Sequence, residues 1–200
     1  MSRFNFIILG LIFSQSSYAM LIGTDVVDGT NSLYTSDWGH PYNTGSGNES
    51  NAIARGNNPQ AFEVLLNPFA FTSGMNLRIS ASGLVVDDGS RATGPGEHGG
   101  DFRNLPVYGL IGIWSSDPNS ILPVEVDLIS VNPAFYIGDL LNLVVPTYTS
   151  SLYLFMADND GGFADNSGFY SVRIEQIPAP SALLLMLIGF ASLRKRLATS

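Results

Sequence analysis

The chain has no cysteine, and it is poor in basic residues and histidine, with nine Lys and Arg and two His among 200 residues. The missing cysteine excludes disulfides, thiolate zinc sites and thiol nucleophiles. With only His40 and His98 available, general acid–base chemistry would fall to carboxylates. No Gly-x-Ser-x-Gly elbow and no His-Glu-x-x-His helix is present, so the hydrolase sites built on those motifs are absent. Asp87-Asp88 would need a distant acid to form a glycosidase pair, and any acidic chain offers such pairs. The shortage of basic side chains is sharpest in the body of the chain. All 17 acidic residues lie between Asp25 and Glu175, where only five arginines oppose them, a net of −12. A phosphate backbone demands a basic face, so nucleic acid is disfavoured as a partner. Cations and neutral polar ligands remain open, and part of the acidity serves solubility. These exclusions point to a binding or structural protein and not an enzyme.

Both ends read as targeting segments. Arg3 precedes the nearly continuous apolar run Phe4–Phe13, and Ser17-Tyr18-Ala19 places small residues before a cut after Ala19. Residues 1–19 therefore have the layout of a secretory signal peptide. At the other end, Pro178-Ala179-Pro180-Ser181 leads into the uncharged run Ala182–Leu193, and Arg194-Lys195-Arg196 follows at once. The run is shorter than the ~20 residues that cross a bilayer comfortably. Tilt and local thinning can extend its reach. The basic triplet would stay on the cytoplasmic side. This tail resembles the PEP-CTERM sorting signal of Gram-negative bacteria, in which a proline-rich motif, a short apolar helix and an Arg/Lys cluster are processed by exosortase. The likeness covers residues 177–200, and it departs from the family at Ala179, where the family's usual Glu stands. It implies export through the inner membrane, transient anchoring there by helix 182–193, and delivery to the cell surface or extracellular matrix.

Between the tails, one domain is expected, long enough to bury a core without staples. Residues 20–60 read as a polar extension. From residue 27 they are rich in Gly, Asn, Ser and Asp, with turn signals at Asp28-Gly29, Asn43-Thr44-Gly45 and Gly56-Asn57-Asn58-Pro59. Trp38 and Tyr42 are placed to pin it to the core. From 61 to 176 the pattern turns strand-like. Strands are expected over Ala61–Leu66, Met75–Ser82, Val107–Trp114, Val124–Val131, Asp139–Val145, Ser151–Ala157 and Gly168–Glu175, each bounded by Gly, Pro, Asn or Asp. Tyr170, Val172 and Ile174 alternate with Ser171, Arg173 and Glu175, which suits a half-buried strand. The run Leu152–Ala157 is apolar at both parities, which suits a strand covered on both faces. No stretch of the body offers a convincing amphipathic helix. The expected fold is all-β, an antiparallel sandwich or jelly roll.

The last loop of the body carries the chemistry. Asp158, Asp160, Asp165 and Asn166 lie within nine residues, with Gly161 and Gly162 between them. Side-chain and main-chain oxygens of this kind suit Ca²⁺, which takes roughly six to eight of them. Glycines let the backbone turn sharply and aim its carbonyls inward. The loop is no EF-hand, because Phe169 stands where that motif needs a bidentate Glu. Aspartate and glycine also simply form turns.

The string Asp158…Asp165-Asn166-Ser167-Gly168-Phe169-Tyr170 resembles the small calcium-dependent galactose-binding lectins of the PA-IL kind, without a gap in the loop. That resemblance implies a galactose-binding-lectin-like sandwich over roughly Glu63 to Ile174. It places Asp158 at the family's bidentate calcium carboxylate, Gly162 at a main-chain ligand, and Asp165 and Asn166 at two side-chain ligands. Asp165 departs from the family's Asn and adds a negative charge. Upstream the match is looser, and the chain carries extra residues around 115–133. There the resemblance places Asp87 as a ligand through its carbonyl and His98 against a sugar hydroxyl. In that family two sugar hydroxyls complete the calcium shell, so the implied partner is a galactose-like sugar or an exopolysaccharide, contacted by His98, Asp158 and Asp165. A second expectation stands beside it, a structural surface or biofilm-matrix protein whose ion only stiffens the loop. Trp38, Trp114 and Tyr108 could stack on a sugar ring, with core packing the stronger expectation for Trp114 and Tyr108.

Overall fold

The computed structural model describes residues 19–33, 61–62, 71–87, 91–102, 104–124, 133–160, 162–163 and 165–178. The segment up to Tyr18 expected as a signal peptide, the expected sorting tail from Ala179 onward, Trp38, His40, Tyr42, Asp88 and most of the strands expected at 61–66 and 124–131 lie outside them. Among the described residues every regular element is a strand, and every pairing is antiparallel. No helix there is long and apolar enough to cross a membrane.

Two sheets form the body. The larger joins β1 (Met20–Asp28), β10 (Ser167–Gln176), β2 (Asn76–Asp87) and β3 (Arg91–Thr93) in that order. The strand β8 (Leu140–Val144) pairs with the first half of β2, and β3 pairs with its last residues. The smaller sheet sets β6 (Leu110–Ser115) between β7 (Ala134–Tyr136) and β9 (Tyr153–Asp158). A short hairpin of β4 (Asp101–Phe102) and β5 (Leu105–Pro106) lies between β3 and β6 in the chain.

Side-chain alternation explains how the layers stack. On β10 the residues Tyr170, Val172 and Ile174 are buried, while Ser171 and Arg173 are exposed. Their inner faces meet Leu77, Ile79 and Val85 of β2 and Leu110, Trp114, Leu154 and Met156 of the smaller sheet in one apolar core. The opposite face of β6 and β9 is covered as well. Ile111, Ile113, Phe155 and Ala157 pack with Leu33, Ala61, Ile121 and Phe163 in a second core. The strand expected to be covered on both faces therefore is. Trp114 lies in the main core, edge-on to Phe71 at 5.3 Å and stacked on Phe135 at 6.0 Å, so it offers no platform to a ligand.

Three boundaries differ from expectation, each for a local reason. The folded body does not start at residue 61. β1, from the stretch read as a polar extension, pairs with β10 along its length and buries Ile22 and Val27. A register shift between Leu21 and Gly23 hides its alternation. β6 begins at Leu110 and not Val107, because Tyr108 has φ 65°, which a strand cannot contain. β2 runs on to Asp87, through Gly83.

Gly83 allows that continuation by its lack of a side chain. It has φ 112°, and a Cβ there would lie 2.4 Å from the Phe169 carbonyl oxygen. Gly168, with φ 85°, makes the reciprocal approach to the Leu84 carbonyl oxygen, also at 2.4 Å. The two glycines draw β2 and β10 together just before both strands reach the loops at that end of the sheet. Gly83→Ala is expected to destabilise the fold by about 2 kcal/mol or more, through strained φ and a backbone clash. Gly74→Ala, whose φ is also positive but whose Cβ position has nothing within 4 Å, is expected to cost only about 1 kcal/mol. Urea denaturation midpoints compare the two.

Candidate metal centre

The end of β9 carries its alternation into a place where it has to bury charge. Asp158 is the last residue of that strand, paired with Leu110. It is followed by Asn159 and Asp160, and Asn166 returns beside them before β10. None of the four is more than 6% exposed. Burying such groups costs free energy unless each finds a partner.

Their donors are committed, and their acceptors are not all met. The Tyr170 hydroxyl donates to Asp158 Oδ1 at 3.1 Å, or to the Tyr108 carbonyl at 3.3 Å. Asn166 Nδ2 donates to the Gly29 carbonyl at 3.2 Å and to Asp160 Oδ2 at 3.1 Å. Asn159 Nδ2 lies within 3.1 Å of the carbonyls of Phe102, Leu105 and Pro106. Acceptors around each amide nitrogen define which end is nitrogen and which is oxygen. Asp158 Oδ2, Asn159 Oδ1 and Asn166 Oδ1 are left buried with no hydrogen-bond donor. An unmet buried acceptor costs about 1–3 kcal/mol. Asn159 faces the β4–β5 hairpin, on the side of β9 opposite to Asp158, so the unmet oxygens of Asp158 and Asn166 are the ones a hard cation on the loop would relieve.

The electrostatics point the same way. Burial, then the charge of Asp160, pushes the Asp158 carboxyl up from 3.8 to about 7, with Asp87 adding to the rise. Burial and the Asp158 charge likewise push the Tyr170 phenol up, so it stays a donor. Burial raises the Tyr108 phenol too, followed by the charge of Asp87. The ion pairs of the described arginines lie elsewhere, Arg91 with Glu97 and Arg173 with Glu175.

The structure brings together part of the expected set. Asp158 and Asn166 stand at the buried centre, with Asp160 between them. Asp87 acts on Asp158 from the end of β2. Gly162 is half-buried, and Asp165 is exposed. His98 points to solvent, and its contact is Asp101, at 3.6 Å. Among the described residues no three His, Cys, Asp or Glu side chains converge as a metal-binding group. The expected set needed only two carboxylates, with an amide and main-chain carbonyls supplying the rest. Asn159 was missed in the sequence, although it continues the alternation of β9 by one residue. One open groove of about 650 Å³ lies away from this loop, on the outer face of the larger sheet among Thr24, Ser80, Ser82, Ser171 and Arg173.

No protein-family model matches the sequence, and no curated protein does. Among solved structures, the fold is similar to the EclA N-terminal domain, a PllA-like lectin, at 17% identity and a TM-score of 0.42, over 78% of this chain and 97% of that one. A likeness at that level transfers no role to any residue here.

The raised Asp158 carboxyl sets two pH dependences. Its folded value lies above the unfolded one, so its contribution favours the metal-free fold fully at low pH. That contribution is lost as pH rises from about 4 through about 7. Asp158→Asn cannot ionise and is expected to remove this slope, leaving the metal-free chain more stable than wild type above pH ~7. Thermal unfolding in EDTA across that range measures it. Calcium reverses the sign. A cation must displace the proton, so its apparent affinity is expected to weaken by roughly tenfold per unit as pH falls below about 7. Calorimetry in buffers of different ionisation enthalpy reads the released proton.

Proposed function

We propose that this chain is an exported carbohydrate-binding protein of the cell surface or extracellular matrix, whose glycan site is built on a bound Ca²⁺. The observation that carries the reading is the pair of buried oxygens, on Asp158 and on Asn166, that no donor meets. An all-oxygen donor set with several acids favours Ca²⁺ over softer ions. Asp158, Asn166 and the main-chain carbonyls of Asp87 and Gly162 are the ligands, and the exposed Asp165 is the member placed to meet both ion and sugar. The glycan part of the reading rests on the spacing from Asp158 to Asp165-Asn166-Ser167-Gly168. A neutral sugar suits so acidic a body, because its hydroxyls replace water on the ion without adding charge. His98 stands on the exposed side as a candidate contact to a galactose-like unit. The work is binding and not catalysis.

One observation favours a second reading. Asp158, Asn159, Asp160 and Asn166 are nearly closed to solvent, as suits an ion that only stiffens a loop in a structural matrix protein. In both readings the signal peptide exports the body. The tail is held at the inner membrane, where Pro178-Ala179-Pro180-Ser181 is the motif offered to an exosortase-type enzyme.

Passing the purified chain over immobilised galactosides and other glycans, with Ca²⁺ and with EDTA, separates the readings. Retention on a sugar that chelator abolishes is the expected result. Calcium-dependent thermal stabilisation with no retention on any glycan would establish the structural reading instead. Retention indifferent to chelator, or no response to Ca²⁺ at all, would sink the calcium site.

A further inference from the structure

Asn166 can offer an oxygen to a cation only while its amide keeps one of its two orientations. Flipped about its last bond, it would aim Nδ2 at the ion and set Oδ1 against other oxygens. The structure fixes the choice with two acceptors. The Gly29 carbonyl lies 3.2 Å from Nδ2, and Asp160 Oδ2 lies 3.1 Å from it. Oδ1 is left buried and unmet. Both acceptors are held in place. Gly29 begins the turn after β1, where its own amide donates to the Gly168 carbonyl at 3.0 Å. The Thr30 amide and hydroxyl donate to Asp28 Oδ1 at 2.9 and 2.7 Å and close that turn. A Cβ on Gly29 would lie 2.8 Å from Val85 Cγ1, so the turn sits directly against β2. Asp160 is buried on the loop itself, two residues after Asp158.

We propose that Asp160 is a positioning residue for the cation centre, clamping the Asn166 amide against the Gly29 carbonyl so that its oxygen, and not its nitrogen, faces the ion. The inference rests on the calcium reading above. Asp160 is not itself a ligand in it and acts through Asn166. The strand β1 thereby becomes part of the site. Its turn lies 137 residues before Asn166 in the chain, yet it helps set which atom of that side chain is presented.

The full-length chain in detergent is titrated with Ca²⁺ by calorimetry and with Tb³⁺ by tyrosine-sensitised luminescence, and unfolded thermally in EDTA. Tb³⁺ lifetimes in H₂O and in D₂O count the waters on the ion. Asp160→Ala is expected to weaken Ca²⁺ about tenfold, in the range typical of residues that orient metal ligands. It is also expected to admit about one extra water, where the Asn166 oxygen has turned away. Asp160→Asn keeps an acceptor oxygen for Asn166 and is expected to keep the wild-type water count. The double variant Asp160→Ala, Asn166→Ala is expected to hold no more water than Asn166→Ala alone. Wild-type affinity or a wild-type water count in Asp160→Ala would overturn the clamp while leaving the calcium site standing. A further water in the double variant, or in Asp160→Asn, would make Asp160 a ligand in its own right and overturn the positioning role. If Asp160→Ala does not fold in EDTA, Asp160→Ser, whose oxygen stops short of Asn166, takes its place with the same outcomes. A wild-type chain that binds neither ion removes the calcium reading and this inference with it.

Discussion

A carboxylate buried at the end of a strand needs a counter-charge, and the loop end of this molecule is arranged around that need. Asp158 ends β9, a strand with apolar cores on both faces, so solvent cannot solvate it. Its nearest acidic neighbours, Asp160 and Asp87, make its ionisation harder. Of the described arginines, Arg91 and Arg173 pair with Glu97 and Glu175, and Arg78 donates to Asn142. The charge must then be met by a proton or by a cation. The amide of Asn166 turns its nitrogen toward the Gly29 carbonyl and the Asp160 carboxylate and leaves its own oxygen unmet. That orientation suits a positive guest and would be costly to keep without one.

The sandwich supplies the rigidity. Gly83 and Gly168 let β2 and β10 approach each other closely near the loop end. Tyr170 reaches from β10 to the Asp158 carboxylate, so one side chain serves both the main core and the polar cluster. Strain at Tyr108 and unmet oxygens on the loop stand against the apolar burial of two cores, and stability elsewhere offsets them. Local rules fail at the same end of the molecule: the left-handed tyrosine, the close-approach glycines and the buried aspartates all lie there.

The sequence displayed much of the sandwich. Strict alternation in 170–175 and the two-sided apolar run in 152–157 correspond to β10 and β9. Their register is set by which parity is apolar, so it could be read before any contact was known. β1 could not be read in this way, because a register shift breaks its alternation and its partner β10 lies about 150 residues away in the chain. The start of β6 is not legible, because the left-handed turn at Tyr108 is held by long-range bonds to Asn159 and Tyr170. In the loop, Asp158 and Asn166 could be singled out by composition and spacing. Asn159 could not, since its role depends on three carbonyls more than fifty residues upstream.

By itself the sequence determined the chemistry available: no thiol, an acidic body, strands of period two, and a loop of oxygen-bearing side chains between the last two strands. These are properties of residue type and local order, and they survive without tertiary contacts. Only the tertiary structure decided which oxygens are buried and unmet, and which, like those of Asp165, face solvent. It also decided that the Tyr108 backbone meets Asn159 and Tyr170. The physical reason is that desolvation and hydrogen-bond satisfaction depend on what packs around a group, and here those neighbours come from β2, β10 and the hairpin of β4 and β5.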